Sequence, residues 1–251
     1  MTYEKPQRGN PHELTHCQHV IPVASIKRFA NAKGLVEIWL KAEERAVPRA
    51  PGNELFYAKR VWDQMTEHGR FRRIEDAFQD VARRLLGGTA STVASEDEVA
   101  VNEFYALCYC RGQLKASTPP DVGQDVLGAS VPYDKNEAEI LERNGYVSVR
   151  PDGTLPGRHL AGIVSFFKIR DLSSHLSNYR WRVLRSTTAQ FLVPDQFPDK
   201  PVMPIAPRVC LIAGVEGGID VDEDVVRELN RLLIAASREF YFAHDLARCP
   251  R

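Results

Sequence analysis

Apolar residues recur at helical spacing in six parts of the chain, and each of these parts is predicted to form a helix. The clearest case follows Gly69, where Ile74, Phe78 and Leu85 fall on one face and Gly87 marks the end. In two further cases a capping-box pattern indicates where the helix starts, at Ser95 and at Asp220. The predicted helices cover residues 22–30, 69–86, 95–114, 136–144, 160–176 and 220–243.

Alternation of apolar and polar residues predicts strands at 35–40, 179–185, 190–193 and 208–214, and residues 41–53 are predicted to form a turn or loop. Helices segregated from a small sheet define an α+β fold. We expect the sheet to be antiparallel and to come mainly from the C-terminal half. The chain is predicted to be a single domain over residues 1–251, with a potential internal boundary in the Pro/Gly/Ser-rich loop 116–135.

Composition narrows the class of protein. The chain has 251 residues, with 33 Lys and Arg against 33 Asp and Glu, so no overall basic field attracts nucleic acid. The five cysteines show no regular spacing, which is typical of reduced thiols in the cytoplasm. The sequence has neither a signal-peptide pattern nor a run of about 18 apolar residues, so we expect a cytoplasmic protein without a membrane partner.

Three histidines near the N-terminus raise the question of a metal site. His12, His16 and His19 have the spacing that would align them on one face of a helix, and three imidazoles with an open position suit a catalytic zinc. No Cys-x-x-Cys or His-Glu-x-x-His pattern completes such a site. We therefore expect no metal and no cofactor, and we retain His19 alone as a candidate catalytic residue.

Arg111 is a charged residue on the apolar face of its predicted helix. Phe104, Leu107 and Leu114 share that face, and a guanidinium buried among them needs a partner because an unpaired buried charge costs several kcal/mol. We expect this partner to be Glu75 or, as second choice, Asp195. The pair could be structural or could belong to a site.

Asp195 ends a predicted strand and precedes prolines 198, 201, 204 and 207, whose spacing predicts a stiff polyproline II loop. A carboxylate at the base of such a loop could act in a site, or it could cap its own turn.

Arginines supply the candidate contacts to an anionic substrate. Arg180 and Arg182 share one face of a predicted strand, and Arg28 lies in an Arg-Phe pair near the N-terminus. A third group, Arg70, Arg72 and Arg73, opens the helix after Gly69. These arginines could bind phosphates or could form solvated surfaces.

Several motifs together resemble the mostly bacterial family catalogued as domain of unknown function 4238. They are the Gln-His run QHVIPVASIKRFA, the Trp-centred strand LVEIWL, the Ile-Glu pair in RIEDAF, the turn segment FLVPDQFP and the closing helix ELNRLLIAASREFYF. Val20 replaces the usual aromatic residue after His19, and Pro194 and Gln196 flank Asp195 in place of the family's Ser and Asn. The resemblance implies no particular activity, but it draws attention to His19, Glu75 and Asp195.

Two functional hypotheses follow. In the first, His19, Glu75, Arg111 and Asp195 form the site of a hydrolase or transferase, and Arg28, Arg180 and Arg182 bind a phosphate-containing or nucleic-acid substrate. In the second, the chain is a non-enzymatic binding or inhibitor protein with a protein partner, in conflict between a host and mobile elements. The two are distinguished by whether the four side chains meet.

Overall fold

The computed structural model describes residues 3–123, 133–150, 152–215 and 220–251. Within these residues the helices, numbered α1 to α6, are Val23–Lys27, Arg72–Gly87, Glu98–Ala116, Lys135–Arg143, Gly157–Leu176 and Glu223–Ala236. The strands, numbered β1 to β12, are Cys17–His19, Val36–Leu40, Arg45–Arg49, Tyr57–Lys59, Val122–Gly123, Thr154–Leu155, Trp181–Ser186, Val193–Pro194, Val202–Ala206, Val209–Ala213, Asp220–Val221 and Phe240–Ala243.

The strands form two four-stranded sheets and two small two-stranded ones. One larger sheet has the order β11-β7-β10-β9 and is antiparallel except for the parallel pair β11–β7. The other has the order β3-β2-β12-β8 and is antiparallel throughout. The predicted α+β class is confirmed. The expectation of one sheet drawn mainly from the C-terminal half was too simple, because β12 pairs with the N-terminal strand β2.

Two predicted loops contain strands. The segment 41–53 was wrongly predicted as a loop: it contains β3, in which only Val47 is buried, so no alternation is visible in its sequence. The proline run was wrongly predicted as polyproline II throughout, because β9 occupies part of it. Pro204 is tolerated there since β9 lies at the edge of its sheet. Much of the predicted boundary loop 116–135 falls on residues 124–132, outside the described residues.

Both capping-box predictions were wrong in detail. Ser95 opens a short 3₁₀ turn, and its hydroxyl accepts a hydrogen bond from Arg180, so α3 begins only at Glu98. Helix α6 is capped by the Asp222 carboxylate and ends at Ala236. The apolar residues that continue its helical spacing, Phe240 and Ala243, belong to β12, where pairing on both sides overrides the local pattern.

Helix α3 lies at the centre of the molecule. It packs against α2 on one side and α5 on the other, and buried residues occur all around it. Phe104 of α3 stacks on Phe78 of α2 with ring centres 3.7 Å apart. Arg111 lies on a part of α3 that is surrounded by protein, and the residue is only 1% exposed. No helix in the described ranges is both long and apolar enough to span a membrane.

The side-chain amide of Asn230 connects helix α6 to the chain that precedes β8. Asn230 is fully buried; its Oδ1 accepts from the Leu192 backbone N–H at 3.1 Å, and its Nδ2 donates to the carbonyls of Gln190 and Pro250, both at 3.0 Å. These bonds satisfy backbone groups that would otherwise be buried without partners.

We expect Asn230→Ala to lower the free energy of unfolding by about 2–3 kcal/mol, because it leaves buried backbone groups unpaired. Asn178→Ala is the matched control, since the Asn178 amide donates only to the His175 carbonyl at the surface and should change stability by less than about 0.5 kcal/mol. Urea unfolding followed by circular dichroism measures both. Equal effects from the two variants would contradict the assigned role.

Candidate functional site

The Arg111 side chain is 1% exposed and pairs with two carboxylates. Its Nη1 lies 2.5 Å from Glu75 Oε1, and its Nη2 donates to Glu67 Oε2 at 3.3 Å. The guanidinium carbon also lies 4.7 Å from the ring centre of Phe71 and 5.4 Å from that of Trp62. The predicted pairing of Arg111 with Glu75 is confirmed, and the aromatic rings add favourable cation–π contacts.

Glu67 joins the cluster through an unusual stretch of helix. Residues Thr66–Phe71 form a turn of π-helix that runs directly into α2 and carries Glu67 and Phe71 toward Arg111. Glu67 Oε2 also accepts a hydrogen bond from the Trp62 indole at 2.6 Å. Among the described residues nothing donates to its Oε1, which leaves that oxygen available to a ligand. Single π-helical turns of this kind occur frequently at functional sites.

Strand β1 brings His19 to the same place. Gln18, which is fully buried, accepts hydrogen bonds from the Val61 and Trp62 backbone N–H groups and donates to the Trp62 carbonyl at 2.7 Å. This amide fixes β1 against the segment that carries Trp62. His19, the next residue, packs edge-on against Tyr57 of β4.

His19 and Glu75 are titratable groups at the edge of the cluster, and their pKa values are shifted toward each other. Burial lowers the pKa of the half-buried His19 imidazole, with Glu67 raising and Arg111 lowering it further. Burial raises the pKa of the Glu75 carboxyl by more than the Arg111 guanidinium lowers it. At neutral pH the imidazole is therefore uncharged, and Glu75 holds a proton more readily than an ordinary glutamate.

Exposure decides which of these groups can meet a ligand. The side chains of Glu67 and Glu75 are 18% and 24% exposed, whereas Arg111 and the Nε2 atom of His19 are enclosed by protein. The two carboxylates thus form the accessible surface of the cluster. Arg111 and His19 lie beneath them and set their charge and orientation.

Asp195 does not join this cluster. Its carboxylate accepts hydrogen bonds from the backbone N–H groups of Arg238, Glu239 and Phe240, and so organises the chain between α6 and β12. Burial raises the pKa of this carboxyl more than the three backbone donors lower it. The expectation that Asp195 might pair with Arg111 was wrong, because the carboxylate is already occupied by the start of a strand distant in sequence.

The arginines assigned to substrate binding also lie apart from the cluster. Arg28 is half-buried and donates to the Ile205 carbonyl at 2.7 Å, to Gln79 and to Ser25, and desolvation lowers its pKa to about 10. Arg180 pairs with Glu98, which precedes Arg111 on α3 by about 20 Å at 1.5 Å per residue.

Arg182 lines a separate cavity that also contains Asp220 and Asp222. In the other arginine group, Arg72 and Arg73 begin α2 as predicted, but Arg70 lies in the π-helical turn that runs into α2, so the three do not surround a free helix N-terminus. The described contacts therefore do not gather the arginines into one basic surface beside the carboxylates.

The three N-terminal histidines are not aligned. Residues around His12 and His16 form turns and extended chain, and His19 lies in β1, so the helix that would place the rings on one face is absent. His12 instead bonds to Asn136 at 2.8 Å, and His16 contacts Cys17. The described part of the chain holds no group of three or more metal-ligating side chains.

Four members of the cluster were missed from the sequence: Gln18, Trp62, Glu67 and Phe71. Gln18 stands beside His19 in the Gln-His pair, which was a usable signal. Glu67 carries no comparable pattern, because its approach to Arg111 depends on the π-helical turn. Trp62 carries none either, because its backbone is held by Gln18, which is distant in sequence. Comparison with models of known families, with curated proteins and with solved structures finds no match. The relation to the domain of unknown function 4238 family stays a prediction.

We expect Arg111→Ala to destabilise the fold by about 3–5 kcal/mol, because it leaves partly buried carboxylates without their counter-charge. Replacing the pair together, Arg111→Met with Glu75→Leu, should recover much of that loss. Arg180→Ala is the control, since its ion pair is solvent-exposed and contributes about 0–1 kcal/mol. Urea unfolding provides the measurement. An Arg111→Ala effect as small as the control would show that the guanidinium is not buried and paired.

Proposed function

We propose that the chain is a hydrolase or transferase that uses Glu75 as general acid and Glu67 as general base. The observation that carries the proposal is the pairing of Glu67 and Glu75 with the single guanidinium of Arg111, with His19 near enough for both Glu67 and Arg111 to influence its pKa. Titratable groups with shifted pKa values at one accessible place are typical of acid–base sites.

The roles follow from exposure and protonation. Glu75 is accessible and its pKa is raised, so it can give a proton to a leaving oxygen. Glu67 is held through Oε2 by Trp62 and Arg111, which leaves Oε1 free to accept a proton from water or from an attacking hydroxyl. We assign His19 and Arg111 as positioning residues, because their polar atoms are enclosed.

The charge of the cluster indicates which kind of phosphate ester suits the site. When Glu75 carries its proton, Glu67 is the charged group that faces the ligand, and the Arg111 guanidinium that pairs with Glu67 is buried. A phosphodiester, with a single negative charge, is repelled less by this surface than a monoester with two. Because Arg28, Arg180 and Arg182 have other partners or positions, a small diester suits the site better than a long nucleic acid.

The test uses bis(4-nitrophenyl) phosphate as the probe. We expect slow release of nitrophenol, and Glu75→Gln should lower kcat by about 100-fold or more, as removal of a general acid does. The matched control is Asp76→Asn, because Asp76 is the exposed neighbour of Glu75 on α2 and should not be required. Activity that is unchanged in Glu75→Gln, or absent from the native chain, would contradict the proposal for this substrate class.

The pH dependence gives an independent check on Glu75. A general acid works only while protonated, so the rate should fall as pH rises through the raised pKa of Glu75. The decrease in rate should occur at a pH above the ordinary glutamate pKa of about 4.3. A rate that increases steadily from acidic to neutral pH would rule out Glu75 as the acid.

A further inference from the structure

An open apolar groove adjoins the π-helical turn that carries Glu67. Its volume is about 480 Å³, within the range of about 300–1,000 Å³ typical of small-molecule pockets. It is bounded by the π-helical turn, by α5 and by the chain after α4. Several apolar side chains that line it are more than half exposed, namely Met65, Tyr146, Val147, Ile163 and Phe167. Apolar surface of this kind is typical of a binding site.

The inner end of the groove holds one polar group without a partner. His159 is 5% exposed and lines the groove, and no described residue makes a hydrogen bond to its Nε2. The neighbouring carboxylates are already satisfied. Glu142 Oε2 accepts from Arg60 at 2.7 Å and from Arg158 at 2.9 Å, and Asp63 accepts from the Thr66 backbone and hydroxyl. Buried polar groups are normally hydrogen-bonded, so this nitrogen is a potential partner for a polar atom of a ligand in the groove.

Arg70 supplies positive charge to the same groove. Its guanidinium carbon lies 4.1 Å from the ring centre of Phe166, which fixes the side chain along the apolar wall. Its ion pair with Glu103 is long, at 4.0 Å, and no acceptor for its Nε is found among the described residues. A guanidinium held by an aromatic ring and only weakly paired can bind a carboxylate through two parallel hydrogen bonds.

We propose that this groove binds an amphipathic carboxylic acid with an extended apolar body. The body packs against Ile163 and Phe167, the carboxylate pairs with Arg70, and His159 offers a further hydrogen bond. The charge of Glu142, which lines the groove, is offset by its ion pairs with Arg60 and Arg158. This binding function is separate from the proposed hydrolytic chemistry, because it rests on other residues and requires no reaction.

The experiment compares dodecanoate with dodecanol by calorimetric titration, both below the concentration at which they aggregate. We expect saturable binding of dodecanoate and an affinity at least tenfold lower for dodecanol. Arg70→Gln should weaken dodecanoate binding about tenfold and leave dodecanol unchanged. Ile163→Glu should abolish binding of both, while Val99→Glu, which alters an exposed apolar residue outside the groove, should have no effect.

Three results would overturn the inference. The first is that neither probe binds. The second is that both probes bind with equal affinity and that Arg70→Gln changes neither affinity, which would leave only a nonspecific apolar surface. The third is that a second copy of the chain covers the groove, so that sedimentation shows a dimer that Ile163→Glu dissociates and dodecanoate does not. Circular dichroism of each variant confirms that the chain is folded, so that loss of binding reports on the groove.

Discussion

The need to neutralise Arg111 within the protein organises this part of the fold. A guanidinium enclosed on a central helix carries a desolvation cost of several kcal/mol, which is offset only by close partners of opposite charge. Glu75 comes from α2, and Glu67 comes from the π-helical turn that precedes α2. The aromatic rings of Trp62 and Phe71 cover the remaining faces of the guanidinium. One side chain thereby fixes the relative positions of α3, α2 and the chain that leads into α2.

The N-terminal segment is connected to the Arg111 cluster by hydrogen bonds between the Gln18 side chain and backbone groups, not by ion pairs. Gln18 holds the backbone at Val61 and Trp62, so the Trp62 indole is directed toward Glu67. His19 follows in β1 and comes under the influence of both Glu67 and Arg111. The cluster therefore combines residues distant in sequence, and its exposed surface consists of carboxylates whose supporting residues are enclosed. The proposed acid–base chemistry depends on this separation of accessible and supporting groups.

The sequence predicted those features that depend on local periodicity. The spacing that places Arg111 among Phe104, Leu107 and Leu114 indicated burial, and burial in turn required a carboxylate such as Glu75. Glu67 could not be found in this way, because a π-helical turn has no reliable sequence pattern. Asp195 was misassigned for a related reason: its partners are backbone groups more than forty residues later in the chain. Likewise, β12 continues the apolar spacing of α6 and becomes a strand only because β2 and β8 lie beside it.

The most direct test of the central role of Arg111 is an NMR titration of the His19 imidazole, assigned by comparison with His19→Gln. Because its imidazole is partly buried and Arg111 lies near it, His19 should titrate below the ordinary histidine value of about 6.5. Its pKa should rise in Arg111→Met, because a positive charge that disfavours the imidazolium has been removed while Glu67 is kept. A His19 pKa at the ordinary value that is unaffected by Arg111→Met would contradict the account.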